Sequence, residues 1–450
     1  MNTIRNPDSG SASELALEVR EATRENLYAC LDLLHRAISI ESFSGKEEGM
    51  AALLMEYFGE NRLPAFTTPR GSVVALLVPD SLRGKIPLPE SKKSGDLQEW
   101  ARRNVNAARA AGIQTLALNA HMDVVEPGDT SNWRFHPFRP TRDRGIIYGR
   151  GACDMKGALC AMAQAMTTAA QMARKRPLPR LIMGCFVTEE EAAEGLAFKE
   201  IIRDLGLRPD MVILGEPSKM EIARGQRGKL EMIIHGKGKR GHTSVPEVAS
   251  NAAYKVARAV LAVEQLDKRE FKRVGADPKR LLERSTLTVT SMQTIPLGTS
   301  SVPDKAQATV TVRLAEGKNF ASIMTELENE FPDLGVDFEL VTYRGMAYTG
   351  KRANWPSEHL AWQFPVEHPF FQFLQQSCRD ILRREPKAKI WPFSTDGVYS
   401  AGVENIPTLG IGPGREETAH TVDEHVTMAE LEDALALYLY VALVETELRA

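Results

Sequence analysis

The sequence has few of the features of secreted, membrane-bound or nucleic-acid-binding proteins. Its five cysteines are an odd number, widely spread, with no CxxC pair, which argues against a disulfide framework. No run of roughly 18 apolar residues occurs, and the first residues, MNTIRNPDSGSASELALEV, lack the apolar stretch of a secretory signal. The formal net charge of -3 offers no basic field to a phosphate backbone. We therefore expect reduced thiols, a cytoplasmic location, and neither a membrane nor a nucleic-acid partner.

The length of the chain indicates more than one domain. It has 450 residues, whereas single hydrophobic cores stop growing at about 250 to 300 residues. The apolar fraction of 43% and the charged fraction of 26% are ordinary for globular proteins, so each domain is expected to have a conventional core.

Short apolar segments alternate with segments of helical periodicity over much of the chain. Buried strands are predicted at 115–119, 180–187, 210–214 and 408–411, and an Ala- and Met-rich helix is predicted at 157–173. Strands that alternate with helices predict an α/β fold with a doubly wound, mostly parallel sheet. The Pro-, Lys- and Glu-rich passage 79–112 is interpreted as an inserted loop and surface helix without a chemical role.

The pattern changes from about Gly225. The predicted elements that follow are a strand at 229–235, a helix at 251–266, strands at 286–294 and 307–314, a helix at 321–330 and a strand at 336–343. This βαββαβ order is that of a small ferredoxin-like sandwich. Helices at 370–384 and 428–448 then resume the first domain. We predict one domain formed by 1–224 and 345–450, interrupted by a second at 225–344.

Metal-binding side chains follow four of the predicted strands. They are His121, the three glutamates at 189–191, Glu216 and, after a Gly-rich loop, His420. Such strand ends converge on one crevice in an open α/β sheet. With Asp154, the set combines two imidazoles with hard carboxylates, which suits Zn(II), Mn(II) or Co(II).

The positions of two aspartates indicate distinct roles. Asp154 lies in a Gly-rich loop entering a helix, where its carboxylate can bridge two ions about 3.5 to 4 Å apart. Asp123 follows His121 by two residues, so a turn can direct its carboxylate to the far ring nitrogen and fix the tautomer. The adjacent glutamates at 189–191 cannot all face one ion, so we expect one to ligate and one to activate water.

Six motifs carry a resemblance to a known family. In order they are HMD, GRGACDMKG, TEEE, GEPS, RGHTSVP-x4-NA and GPGREETAHTVDE. They resemble the dizinc family that contains aminoacylases, acetylornithine deacetylase, succinyl-diaminopimelate desuccinylase and glutamate carboxypeptidases, and the likeness runs from about Ile38 to the C-terminus. The segments GQRGKLE and FSTDGV are most similar to a branch linked to selenium metabolism, described as deacetylases or peptidases.

The resemblance implies two sets of metal ligands that share one carboxylate. The sets are His121, Asp154 and Glu216 for one ion, and Asp154, Glu191 and His420 for the other. It implies zinc, with cobalt or manganese as alternatives. It also implies that the domain at 225–344 is a lid that mediates homodimerisation.

The family pattern Asp-Glu-Glu fits the glutamates in two registers. The later register makes Glu190 the general base and Glu191 the ligand, whereas the earlier one would use Glu189 and Glu190. We favour the later register because it places Thr188 and Glu189 where the family has Thr-Asp.

Two residues of the inserted domain match functional positions of the family. The resemblance implies that His242 reaches the active site of the partner subunit and stabilises the oxyanion. Arg313 matches a position that binds a substrate carboxylate. Ser300 stands where the family often has Asn, which departs from the usual carboxylate-binding mode.

The sequence thus predicts a metal-dependent amidohydrolase acting on a small N-acyl amino acid, a dipeptide or a related compound. Metal-activated water attacks the carbonyl, and Glu190 accepts and returns the proton. Two alternatives stay open. One is an aminohydrolase or cyclic amidase that releases ammonia at the same site, and the other is a member that binds a metabolite without hydrolysis.

Overall fold

The computed structural model describes residues 9–91, 93–295 and 300–445. The strands of the described chain, in order, are β1 (Ala65–Thr67), β2 (Val73–Leu77), β3 (Thr115–His121), β4 (Thr141–Asp143), β5 (Ile146–Tyr148), β6 (Leu181–Val187), β7 (Met211–Leu214), β8 (Ile222–Gln226), β9 (Gly228–Lys237), β10 (Gly241–His242), β11 (Thr286–Ile295), β12 (Ser301–Val302), β13 (Lys305–Leu314), β14 (Val336–Leu340), β15 (Thr342–Met346), β16 (Arg352–Pro356), β17 (Glu358–His359), β18 (Trp362–Gln363), β19 (Ala388–Trp391), β20 (Thr408–Gly410) and β21 (His425–Thr427).

The α-helices of the same residues are α1 (Ser9–Ile38), α2 (Glu48–Glu60), α3 (Asp80–Arg83), α4 (Ser94–Ala110), α5 (Gly157–Met172), α6 (Leu196–Lys199), α7 (Ala252–Val274), α8 (Phe320–Glu330), α9 (Pro369–Leu382), α10 (Gly397–Ser400) and α11 (Met428–Leu443). Helix α11 ends before the predicted 448, because Val444 is extended and closes the helix through Tyr440. Positions 446–448 of that prediction lie outside the described residues. No described helix is long and apolar enough to span a membrane.

A nine-stranded sheet forms the centre of the larger domain. Its order is β1-β2-β6-β3-β7-β20-β8-β18, and β19 pairs with β8. The inner strands β6, β3, β7 and β20 are parallel to one another, whereas β1, β2 and β18 pair in antiparallel fashion. Every residue of β3 and β6 is buried, which explains why these segments are nearly continuous apolar runs. The predicted α/β fold with a mostly parallel sheet is confirmed.

Helices cover both faces of this sheet. Helices α1, α5, α9 and α11 share one hydrophobic cluster with one face, and α4 joins the cluster on the other face. The prediction of a surface helix within 79–112 is confirmed by α4, whose polar face is exposed and whose other face buries Leu97, Trp100, Val105 and Ala108. These residues recur at helical spacing and form the apolar stripe of a helix that packs on a sheet.

The inserted segment forms a separate antiparallel sheet. Its order is β11-β13-β9-β14, and α7 and α8 pack on it around a third hydrophobic cluster. The chain order of these elements is βαββαβ. Helix α7 continues to Val274, eight residues beyond the predicted end, and stops at Gly275 with a φ of +80°. The boundaries at 225 and 344 stay predictions.

The predicted strand at 336–343 is wrong as a single element. Strand β14 ends at Leu340, and from Thr342 the chain pairs instead with β16. The consecutive apolar residues Leu340 and Val341 interrupt the alternation, so a change of face was visible in the sequence. The resulting hairpin, residues 342–356, is here named the linking hairpin because it leaves the smaller sheet after β14, contacts the larger domain, and is followed by β17, which pairs with β9 of the smaller sheet again.

Candidate metal centre

The parallel strands deliver their polar residues to one edge of the sheet. His121 ends β3, the glutamates at 189–191 follow β6, Glu216 follows β7, and His420 follows β20. These four strands are neighbours in the order β6-β3-β7-β20. The side chains meet because the carboxyl ends of adjacent parallel strands lie at the same edge.

The first group of possible ligands contains His121, Asp154 and Glu216. His121 Nε2 lies 2.9 Å from Asp154 Oδ1 and 4.0 Å from Glu216 Oε1. The histidine and Glu216 are buried. Three donor atoms of two chemical types thus converge within the reach of one cation.

The second group contains Asp154, Glu191 and His420. His420 Nε2 lies 3.0 Å from Glu191 Oε1 and 3.3 Å from Asp154 Oδ2. The side chain of His420 is 50% exposed, so this group is the more open of the two. The two oxygens of Asp154 face different histidines, which is the arrangement of a shared carboxylate.

The charges of this cluster fit divalent cations. Burial raises the pKa of Glu216 well above its usual value, and Asp154 and Glu191 raise it further. Hydrogen bonds to Asp154 and Glu191 raise the pKa of His420 to about 10. In the metal-free cluster, protons therefore supply the positive charge that the crowded carboxylates require. Cations can replace those protons, since carboxylate oxygens and neutral imidazoles are suitable ligands.

The orientation of His121 is set mainly by the main chain. Its Nδ1 lies 2.9 Å from the carbonyl oxygen of Asp123 and 3.6 Å from the carboxylate Oδ1 of the same residue. The predicted acceptor for this nitrogen is the carboxylate, but the closer acceptor is the carbonyl. The carboxylate is instead engaged by backbone amides on a neighbouring loop.

That loop, residues 188–194, is here named the glutamate loop. Asp123 Oδ1 and Oδ2 accept the N–H groups of Glu190 and Glu191, each at 3.1 Å. Glu47, which no sequence motif indicated, accepts the N–H of Glu189 at 2.9 Å. Burial and the charge of Asp123 raise the pKa of Glu47 to about 8. Three consecutive amides are thus held by two buried carboxyl groups.

The three glutamates have different surroundings. Glu189 has a φ of +56° and forms a buried ion pair with Arg70, and its other oxygen accepts the hydroxyl of Tyr343 at 2.9 Å. Glu190 is buried, and its Oε1 has no hydrogen-bond partner in the part of the chain that the structure describes. Burial raises the pKa of Glu190 well above its usual value, although the charge of His121 lowers it. Glu191 belongs to the second ligand group.

The end of the glutamate loop is fixed at the junction of the two domains. Glu194 Oε1 accepts Ser394 Oγ at 2.8 Å and Lys229 Nζ at 3.2 Å, and its Oε2 lies 2.9 Å from His359 Nε2. Although burial alone would raise the pKa of Glu194, His359 and Lys229 hold it well below its usual value. Lys229 belongs to the first strand of the smaller sheet, so this cluster joins the loop to the inserted domain.

A second missed residue supports Asp154. Glu424 Oε1 accepts the N–H groups of Cys153 and Asp154, both at 2.9 Å, and its Oε2 accepts Arg150 Nη1 at 2.5 Å. Glu424 is fully buried. It is the last residue of the motif GPGREETAHTVDE, so the motif marked the position without indicating its contact.

His242 and Arg313 lie on the inserted domain and belong to neither ligand group. His242 is exposed on β10, and its Nδ1 lies 2.6 Å from Ser244 Oγ. Arg313 is partly buried on β13, where burial lowers its pKa and the charges of Glu194 and Glu231 oppose that shift. Its guanidinium makes no hydrogen bond or ion pair with another described residue.

The chain is similar in sequence to known proteins. The model of peptidase family M20/M25/M40 matches residues 117–444. The uncharacterized protein YgeY of Escherichia coli (strain K12) is 28% identical over 336 residues, covering 74% of this chain and 81% of YgeY. A probable succinyl-diaminopimelate desuccinylase of Staphylococcus epidermidis is 27% identical over 350 residues, covering 72% of this chain and 82% of the relative.

Solved structures share the fold at lower sequence identity. A tripeptidase from Staphylococcus aureus has a TM-score of 0.66 at 18% identity, covering 93% of this chain and 98% of that chain. A dinuclear metal-binding peptidase from Bacillus subtilis has a TM-score of 0.59 at 13% identity, covering 93% of this chain and 99% of that chain.

Proposed function

Because the chain belongs to peptidase family M20/M25/M40 and is a metal-dependent hydrolase, we propose that it cleaves the amide C–N bond of a small N-acyl amino acid, dipeptide or related compound. The observation that carries this proposal is the pair of ligand groups that share Asp154, next to the buried Glu190, one carboxyl oxygen of which has no partner in the described parts of the chain. The desuccinylase relative supports N-acyl compounds as the first substrates to test.

The proposed ligands are the two groups described above. His121, Asp154 and Glu216 hold one divalent ion, and Asp154, Glu191 and His420 hold the other. Zinc suits a mixed set of imidazoles and carboxylates, and cobalt and manganese are alternatives. Bound there, two divalent cations supply positive charge that polarises a carbonyl group and makes water easier to deprotonate.

Glu190 is the proposed general base. A carboxyl oxygen of Glu190 takes a proton from the attacking water and passes it to the leaving nitrogen as the C–N bond breaks. Two observations support this role. Its buried Oε1 has no hydrogen-bond partner among the described residues, so its capacity to accept a hydrogen bond is unused, and Glu189 is already engaged by Arg70 and Tyr343. The surroundings of Glu189 therefore favour the later register of the two.

Asp123 is proposed to act indirectly, through the residues that it orients. Its main chain orients His121, and its carboxylate orders the amides of Glu190 and Glu191. It therefore fixes a ligand, the base and a second ligand at once, which is the function of groups that surround a metal site.

A homodimer through the inserted domain is also proposed. Strand β11 is at an edge of its sheet, and large apolar side chains are exposed on the same domain at Tyr254, Leu261 and Met292. An edge strand beside apolar surface is suited to pairing with a second copy. In that dimer, His242 stabilises the oxyanion in the partner's active site, and the unpaired Arg313 binds a substrate carboxylate.

The test is a substrate screen of the metal-loaded protein. N-acetyl and N-succinyl amino acids, N-carbamoyl amino acids and dipeptides are each incubated with wild type and with Glu190→Gln, and products are identified by mass. We expect an acid and an amine from at least one class with wild type only, at equal metal content. Release of ammonia alone would identify an aminohydrolase. A metal-loaded protein that is inert on the whole panel contradicts the proposal.

A further inference from the structure

The linking hairpin contacts the glutamate loop at both of its ends. Tyr343 OH donates to Glu189 Oε1 at 2.9 Å, and Trp355 Nε1 donates to the carbonyl oxygen of Glu194 at 3.0 Å. The tip of the hairpin is attached elsewhere, because Tyr348 OH donates to the carbonyl oxygen of Gly71 at 3.0 Å. The hairpin thus extends from the smaller sheet, where β14 and β17 flank it, to the loop of the proposed base.

Glu189 is the point where this contact can influence Glu190. Its carboxylate is fully buried and is bonded on one oxygen by Arg70 and on the other by Tyr343. Its backbone has a φ of +56°, a conformation that costs about 1 kcal/mol or more for a non-glycine residue and persists only where its surroundings hold it. The next peptide leads directly to Glu190. A displacement of the Glu189 side chain would therefore move the backbone that carries the base.

The position of the Tyr343 ring depends on a glycine in its own strand. A Cβ added at Gly345 would lie 1.9 Å from the Tyr343 hydroxyl oxygen and 2.0 Å from its Cζ. The ring thus crosses the backbone at Gly345 to reach Glu189. Tyr348 lies over Gly71 in the same manner, where an added Cβ would be 2.2 Å from the ring. The hairpin therefore carries two tyrosines that differ chiefly in the residue to which each hydroxyl donates, Glu189 for Tyr343 and Gly71 for Tyr348.

We propose that Tyr343 is a positioning residue for the catalytic base, acting through the carboxylate of Glu189. The proposal rests on the function proposed above, in which Glu190 moves the proton. Tyr343 and Arg70 fix Glu189 from opposite sides, so the glutamate loop keeps one conformation as the substrate reacts. Because the hairpin of Tyr343 is flanked by β14 and β17, which both pair with β9 of the smaller sheet, the placement of that sheet and the placement of the base are coupled.

Loss of the hydroxyl should affect turnover more than binding. A base displaced by a fraction of an ångström still allows substrate to bind, but it meets the water at a poorer distance in the transition state. We expect Tyr343→Phe to lower kcat about ten-fold, because the loss of one hydrogen bond to a charged group has an effect of this size. KM should stay within about two-fold of the wild-type value. Metal content is expected to stay at the wild-type level.

The experiment compares Tyr343→Phe with Tyr348→Phe. Both variants remove one hydroxyl from the same hairpin and one hydrogen bond to the larger domain, but only Tyr343 contacts the glutamate loop. We would measure kcat and KM on the substrate found in the screen, metal content, and hydrogen exchange of the peptide that contains 188–194. The Tyr343→Phe variant alone should lose turnover, and the loop amides should exchange about ten-fold faster.

Two results would overturn the proposal. One is an equal effect of both variants, which would mean that the hydroxyl serves the hairpin as a whole. The other is unchanged loop exchange in Tyr343→Phe. If wild type hydrolyses nothing on the panel, the proposed function fails, and the exchange measurement still decides whether Tyr343 positions the loop. A further check repeats the Tyr343→Phe substitution in a protein that already carries Glu189→Gln. In that protein, Tyr343→Phe should change the hydrogen exchange of the glutamate loop by less than half as much as it does in wild type.

Discussion

The Oε1 atom of Glu424 accepts the backbone N–H of Asp154 at 2.9 Å, so a buried carboxylate fixes the peptide that carries the shared ligand. The other carboxylate oxygen of Glu424 is paired with Arg150, whose guanidinium lies over the ring of Trp133 at 5.1 Å. The conformation of the Asp154 loop therefore depends on a residue 270 positions further along the chain. Neither ligand group contains Glu424, but the first and the second group both depend on it through Asp154.

Glu424→Gln should destabilise the protein. The substitution leaves the buried Arg150 without its counter-charge, and breaking a buried ion pair costs about 3 to 5 kcal/mol. The free energy of unfolding, measured by urea denaturation of the metal-free protein, checks this expectation. Glu417→Gln is the control, because Glu417 belongs to the same segment and its ion pair with Lys219 is exposed. If the free energy of unfolding falls by less than about 1 kcal/mol in both variants, Glu424 does not stabilise the Asp154 loop.

The three glutamates should separate by metal content and turnover. Glu191→Gln is expected to lose close to half of the bound metal, because only the second ligand group contains Glu191. Glu190→Gln should retain the metal and lose turnover by about 100-fold or more. Glu189→Gln should retain the metal and lose less activity than Glu190→Gln. Elemental analysis and initial rates check these expectations. Metal loss in Glu190→Gln, with Glu189→Gln inactive, would establish the earlier register.

The residues found from sequence and those missed differ in how they are encoded. His121 ends the apolar strand β3 and Glu216 follows the apolar strand β7 by two residues, so local pattern was enough to place them at the sheet edge. Glu47 reaches Glu189 across 142 positions, and no periodicity indicates such a contact. The family resemblance did not assign a role to Glu47 either. Side chains that hold a site were thus harder to predict than the side chains that form it.

In the fold, too, features set by local sequence pattern were predicted and features that depend on distant contacts were missed. The parallel order of β6, β3, β7 and β20 follows from alternating strands and helices, which a sequence displays directly. The linking hairpin was missed because β14 and β15 have nearly continuous alternation, broken only at Leu340 and Val341. The hairpin is attached to the larger domain by contacts such as that of Tyr348 with Gly71, which spans 277 positions and which local pattern does not contain.

Acid should reduce the stabilisation that Glu194 provides. The pKa of Glu194 is depressed in the folded protein, so the unfolded chain binds a proton first as the pH falls below about 4.5. The contribution is therefore complete above that pH and is lost on further acidification. The difference in unfolding free energy between wild type and Glu194→Gln should be largest at pH 6 to 7, about 2 kcal/mol or more, and should shrink below pH 4.

Urea denaturation at several pH values checks this behaviour. Glu231→Gln is the control, because Glu231 lies 3.8 Å from the same Lys229 and is about one-third exposed. The unfolding free energy of Glu231→Gln should be close to that of wild type at every pH. A Glu194→Gln difference that grows on acidification would show that the buried cluster is not held by an ionised carboxylate.

Subunit mixing should reveal whether His242 acts across a dimer. His242→Ala and Glu190→Gln are each expected to be nearly inactive as homodimers. In a mixed dimer, the active site with an intact Glu190 receives an intact His242 from the other subunit, and the second site lacks both. Equal mixing with free exchange makes half of the dimers mixed, so about a quarter of wild-type activity should return. Differently tagged subunits and light scattering measure the mixed fraction. If mixed dimers form without activity, His242 does not act in the partner's site.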